Sequence, residues 1–328
     1  MSKSDRKNTL SVERLEAREV MSGNVQAFNY GNNLYVTEAA DSAGQGQAVA
    51  ISQLGNGQIR VKGLPNQDGG TSLVNGAWYQ DFWLGGDLKV DLRAGNDTVK
   101  LVRNTAIMGI DIDVADQTGV AVADNDLVYI DGIRTDNQLT INTGRGNDAV
   151  QVWDSAIGNG VGNNDNMSIR TGAGADNVQV FTSTRSMVVR GSVYLTTNEG
   201  AEIDADTVKV QSLTAGGTLS VGTGAGNDRV DMTDVWAGGN VFLATGAGND
   251  VVNLREVRAV HDLGVYMGDD QDTLTVQYLN ADRVTLDGGA GYDTLSSSIP
   301  GHANVYTEIN FEPAYWFPYV GGGVLSPR

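Results

Sequence analysis

The residues of this chain whose type and spacing suit chemistry are carboxylates. Asp228, Asp250, Asp272 and Asp293 each close a Gly-rich turn, in VGTGAGNDRV, ATGAGNDVV, MGDDQDTL and DGGAGYDTL, at intervals of 22, 22 and 21 residues. Equivalent aspartates upstream are Asp97, Asp126, Asp148, Asp176 and Asp206, at intervals of 29, 22, 28 and 30, with 22 more to Asp228. Carboxylates gathered with turn carbonyls form the oxygen-rich site that Ca2+ prefers, with roughly six to eight ligands at about 2.3–2.6 Å. Clustered carboxylates also serve as acid and base in polysaccharide hydrolysis.

Chemistry of either kind requires elements that bring distant aspartates together. Two positions after each Asp stands Val99, Val128, Val150, Val178, Val208, Val230, Val252, Leu274 or Leu295. Four positions after, eight of the nine are apolar, and Ser297 is the exception. Seven and nine positions before, the residues are again apolar, except at Asp126 and Asp206. A period of two marks strands with one face inward, and helical spacing is missing from these windows. Self-similarity at about 22 residues marks a solenoid whose repeats cannot bury an apolar face alone. The expected fold is all-β, a right-handed parallel β-helix of about nine 22-residue coils with end caps. The longer intervals read as coils carrying insertions at Ala115–Val122, Ser155–Asp165 and Thr196–Ile203.

In such a fold the aspartates stack at the strand spacing of roughly 4.8 Å. Carboxylates ~5 Å apart repel by roughly 1 kcal/mol in water and roughly 3 at an effective dielectric of 20. The column therefore needs cations, side chains splayed outward, or backbone N–H donors. Alternatively, Gly, Asn and Asp are simply the residues that tight turns require. The residues just before the aspartates, including Asn96, Asn125, Asn147, Asn227 and Asn249, form a second column that favours stacking through amide hydrogen bonds.

These turns, above all GGAGYDTLS at Gly288–Ser296, resemble the GGxGxDxUx nonapeptide of RTX, or hemolysin-type, calcium-binding repeats. The resemblance implies Ca2+ held between successive coils, with Asp148, Asp176, Asp206, Asp228, Asp250, Asp270, Asp272 and Asp293 as ligands. Two departures stand out. Most of the other turns carry Thr at the first Gly or Asp at the inner Gly (Asp124, Asp204, Asp270), and the period is 22 rather than nine, so one turn per coil carries the pattern.

Composition narrows the partners. The chain has 328 residues, 43 of them Gly, no Cys and a formal net charge of −18. That charge disfavours nucleic acid and anionic membrane surfaces, which need basic patches. Without cysteine there are no disulfide staples or thiolate metal sites, and no apolar run is long enough to be a transmembrane helix.

Taken in order, residues 1–23 read as a leader or an N-terminal cap helix. Within them Val12, Glu13, Leu15, Glu16 and Arg18 form a VExLExR core similar to that of exported surface proteins of planctomycete-type bacteria, which implies an extracellular or cell-surface location. Residues 24–87 read as N-terminal β coils or cap, with a hairpin at SQLGNGQIRV and an aromatic loop, AWYQDFW, expected to pack over the core. Residues 88–295 are the regular coils, and 296–328 an aromatic C-terminal cap. Phosphate-loop, GxSxG and HExxH motifs are missing, and His261 and His302 are isolated. The expected function is a non-enzymatic exported scaffold or adhesin, with calcium ions, extracellular polysaccharide or other surface proteins as partners. The alternative is a β-helical polysaccharide lyase or hydrolase, which a groove bearing Arg beside clustered Asp would favour.

Overall fold

A computed structural model describes residues 24–312, apart from 43, 68, 104–106, 117–123, 162–163, 184–186, 199–202 and 299–302. The expected leader or cap helix at 1–23 and the aromatic tail beyond residue 312 lie outside the described residues, as does most of the first insertion. Among the described residues there are twenty-five strands and no helix. The fold is an all-β, mostly parallel solenoid.

Two ladders of parallel strands enclose the core. On one side Thr98–Val102, Leu127–Asp131, Ala149–Trp153 and Asn177–Phe181 stack in order, followed by the longer strands Thr207–Ala215, Arg229–Ala237, Val251–Ala259 and Thr273–Asp287. The predicted apolar column is in register throughout, from Val99 on Val128 and Val150 to Leu274 on Leu295. Eight of its nine members, Val99 to Leu274, are fully buried. Facing it, Leu88, Ile110, Leu139, Met167, Val193, Leu219, Val241 and Leu263 form the matching column. Ile110 and Val193 keep this register although they lie 16 and 13 residues before their aspartates. The extra residues of these two coils therefore leave the core column in register. The stretch read as an insertion at Ser155–Asp165, by contrast, begins with a short strand, Ala156–Ile157, that pairs with Met187–Val189 and buries Ile157.

A third side begins at a one-residue corner. Ser212, Asp234 and Glu256 adopt φ of 53°, 55° and 56°, each six residues beyond its Asp. The ladder pairs Gln211 with Thr233 and Leu213 with Val235, and it skips the corner residues between them. Past each corner Leu213, Val235, Val257 and Leu279 line up and close the core.

The N-terminal end switches to antiparallel pairing. Val25–Tyr30 pairs with Asn33–Glu38, while Ile59–Gly63 pairs with Ala48–Gln53 across the predicted Gly55-Asn56-Gly57 turn. Tyr79–Phe82 then adds to Ile59–Gly63. Parallel coils end in exposed backbone and apolar core, and this change of strand direction covers both with Val25, Ile59, Val61 and Val74, all buried. The aromatic loop does not pack over the core as expected. Trp78, Tyr79 and Trp83 are 51%, 49% and 64% exposed, because they lie on or beside Tyr79–Phe82, the outermost of the described strands at this end, while Phe82 and Leu84 pack against the core. Tyr79 instead carries the Arg60 guanidinium 4.0 Å from its ring centroid, and Arg60 is in turn paired with Asp81.

Candidate functional site

The turn that closes each coil begins with glycines held in the left-handed region. In TGAGND, Gly224 and Gly226 have φ of 95° and 146°, and Gly246 and Gly248 have 102° and 125°. A Cβ on Gly246 would strike the carbonyl oxygen of Gly224 in the neighbouring coil, and one on Gly248 would strike that of Gly226. Glycine is therefore required twice over, for the backbone angle and for the close approach of stacked turns.

The Asn-Asp pair that follows bonds each turn to both of its neighbours. The Asp228 amide donates to Oδ1 of Asp250 at 2.8 Å, and the Asp250 amide to Oδ1 of Asp272 at 2.8 Å. The same bond recurs from Asp97 through Asp126, Asp148, Asp176, Asp206 and Asp228, and it ends on Asp293 at 2.9 Å. It also extends one coil beyond the predicted repeat, since the Gln47 amide donates to Asp97 at 2.6 Å. The asparagine bonds run the other way. Oδ1 of Asn227 accepts from the Asn249 amide at 2.8 Å, and Oδ1 of Asn249 from the Gln271 amide at 3.0 Å. Asn96, Asn125 and Asn147 do the same in the earlier coils.

The aspartate column is buried, with every member 2% exposed or less. Burial pushes seven of these carboxyls, Asp126 to Asp272, upward, because a charged carboxylate loses its water and gains like-charged neighbours. It takes Asp126 to about 10, with Asp97 and Asp148 adding repulsion. Asp176 is raised to about 8, Asp206 and Asp250 to about 7, and Asp148 and Asp272 to about 6, with desolvation the largest cause in each. Asp228 is raised too.

Threonine faces the carboxyl in several coils. Thr143, Thr171, Thr197, Thr223 and Thr245 each place a hydroxyl beside the carboxyl of their own coil, and where the hydroxyl donates, as Thr197 does, it opposes the rise. Thr197 Oγ1 donates to Asp206 Oδ2 at 2.6 Å, whereas Thr245 Oγ1 donates to the Met267 carbonyl at 2.7 Å. A protonated Asp250 can therefore give its own hydrogen to the Thr245 oxygen, and every group in the set is then satisfied. Asp126 has no such hydroxyl. Val114 occupies the matching place, one residue beyond Asp113, which is in register with Asn142. The Thr that departs from the nonapeptide pattern is thus the carboxyl's own partner.

Of the eight ligand candidates, the structure brings seven into this column: Asp148, Asp176, Asp206, Asp228, Asp250, Asp272 and Asp293. Asp270 stands apart, exposed on the turn at φ 84°, in the place of the second glycine. One oxygen of each of the seven already accepts a backbone N–H, which it would have to release, or share, to ligate an ion. Among the described residues no three His, Asp or Glu side chains converge on a point that would hold a metal. The column is built as a run of backbone caps rather than a ready coordination shell.

A feature that sequence reasoning missed lies near the C-terminal end, on the third side of the solenoid. Trp236, Arg258 and Asn280 stack in register over three successive coils and line a cleft of about 480 Å³. Their 22-residue spacing was visible, but with residue types so different it carried no repeat signal. No family model matches the chain, and neither a curated protein nor a solved structure matches it.

Proposed function

We propose that this chain is a non-enzymatic, exported surface or matrix protein, a scaffold or adhesin built as a stiff rod. In this reading the solenoid is a right-handed parallel β-helix of about nine 22-residue coils with end caps. Nine rungs at roughly 4.8 Å make a core about 40 Å long. The observation that supports the reading most is the double side-chain ladder, in which Asp bonds run one way from coil to coil throughout and Asn bonds run the other way wherever an Asn precedes the Asp. Such bonding stiffens a rod along its axis and uses polar groups for cohesion rather than for a reaction.

The hydrolase alternative needs two carboxyl groups flanking a glycosidic bond, roughly 5–10 Å apart. The aspartates of the ladder are enclosed in the wall, and the cleft beside Trp236 is lined by a single carboxylate, Asp282. Calcium at the stacked turns, implied by the RTX resemblance, belongs to the same rod reading as a stiffener.

Two measurements test this proposal. Surface labelling of intact cells with an antibody to the chain, before and after external protease, should give a signal that protease removes. A signal only in lysed cells would end the surface reading. A thermal melt with millimolar Ca2+ against EDTA, with Mg2+ as control, decides the ion. A ligand at about 100 times its Kd stabilises by about 2.7 kcal/mol, so a binder raises Tm clearly. An unchanged melt leaves the ladder to hold the turns unaided.

A further inference from the structure

The cleft near the C-terminal end lies on the outer face of the third wall and is lined chiefly by polar side chains. Ala237, Ala259 and Ala281 alternate with these outward residues and turn their side chains into the core. Trp236, 41% exposed, leans toward the Gly238 turn, where a Cβ would meet its Cη2 at 3.2 Å. Much of the indole surface is thereby left to solvent. One coil on, Arg258 is exposed, and among the described residues it forms no ion pair, unlike its neighbours Arg255 with Glu256 and Arg283 with Asp262. The next coils add Asn280, Asp282 and Asn304, whose Nδ2 donates to Asp282 Oδ1 at 3.3 Å.

Each of these groups suits one chemical class. An exposed aromatic surface binds the C–H face of a sugar ring, which is apolar on one side and ringed with hydroxyls. Exposed carboxamides and a carboxylate donate to and accept from those hydroxyls. A guanidinium without an ion pair is the forked donor that matches a carboxylate. Trp236 and Asn280 are two rungs apart, roughly 10 Å at the strand spacing, which is about the length of a disaccharide lying along the rod axis.

We infer that this cleft is a binding site for a uronate-bearing polysaccharide, with Trp236 stacking on one sugar ring and Arg258 holding the carboxylate of the next. Asn280, Asp282 and Asn304 take the hydroxyls. The site adds a ligand to the rod, and loss of binding would leave the rod reading in place.

Calorimetric titration of the full chain with tetragalacturonate and with cellotetraose, both in EDTA, is the test. The acidic oligomer should bind at least about tenfold more tightly than the neutral one. Arg258→Gln should remove that preference and leave cellotetraose unaffected, while Trp236→Ala should weaken both. Phe242→Ala, an exposed aromatic on another face, should change neither, and circular dichroism confirms that each variant is folded. Equal affinity for the two oligomers, no loss in Arg258→Gln, or no binding at millimolar ligand would each overturn the inference. Acetate competing as well as the tetramer would reduce the site to a simple anion site and overturn it too. Shortening of the tetramer during titration would replace binding with catalysis, and would sink the non-enzymatic reading as well.

Discussion

The backbone amide of Asp206 donates to Oδ1 of Asp228, 2.8 Å away in the next coil, and both groups are buried. Asp228 is therefore a cap for its neighbour's turn before it is an acid. Replacing it with Ala leaves the Asp206 N–H inside the wall without an acceptor, at a cost of about 1–3 kcal/mol. Asn at the same place keeps an oxygen for that N–H and offers an NH2 to the hydroxyl of Thr223. Thermal melts should show Asp228→Ala several degrees below the parent and Asp228→Asn close to it. If Asn proved as damaging as Ala, the carboxylate charge would matter and the cap account would fail.

Stability should fall as the solution becomes alkaline. In the unfolded chain these carboxyls ionise near the ordinary value of 3.8, whereas in the fold Asp148, Asp206, Asp250 and Asp176 reach about 6, 7, 7 and 8. Groups raised on folding bind protons more tightly in the native state, so their contribution is complete below about pH 4. It is lost as pH rises through the folded values, with Asp126, at about 10, the last to ionise. Tm should be higher at about pH 5 than at about pH 9, the reverse of ordinary acid unfolding. General repulsion in a chain of charge −18 tilts the same way. The Asp176→Asn variant separates the two, since it should flatten the curve near pH 8 while removing only one charge. A slope unchanged in that variant would assign the effect to the surface.

The ladders and their register were readable because β-strand burial repeats every two residues and the coil every 22. Val99 to Leu295 announced one column by type alone, and the structure stacks them as written. Three aspects were hidden. The direction in which Asp228 points depends on the left-handed glycines before it, and no side-chain pattern encodes whether a carboxylate caps inward or faces an ion. Trp83 looked like a buried aromatic because hydrophobicity reports what a side chain prefers, while its exposure follows from its place just past Tyr79–Phe82, which pairs with Ile59–Gly63 and, among the described residues, with no further strand. The cleft arises from Trp236, Arg258 and Asn280 sharing a column whose members are unlike, so it appears only when coils are laid on one another.

The corner six residues after each Asp offers a cleaner test of the backbone itself. Arg103, Asp154, Ser212, Asp234, Glu256 and Tyr278 all sit there at φ between 45° and 57°, and Gly132 occupies the same place at 66°. The left-handed conformation costs an ordinary L-residue roughly 1–2 kcal/mol, and a β-branched one more, because Cβ crowds the following carbonyl. Seven coils nevertheless use it, since one such residue turns the chain while the ladder on each side remains paired. Glycine relieves the crowding but gives the unfolded chain more freedom, which offsets about 0.4–1 kcal/mol of the gain. At position 256, whose Glu makes only an exposed contact with Arg255, the expected order of Tm is Gly and Asn at or slightly above Glu, with Val clearly lowest. A Val variant as stable as the Gly variant would mean that the corner can relax out of the left-handed region, and the one-residue bend would no longer account for how the third wall closes.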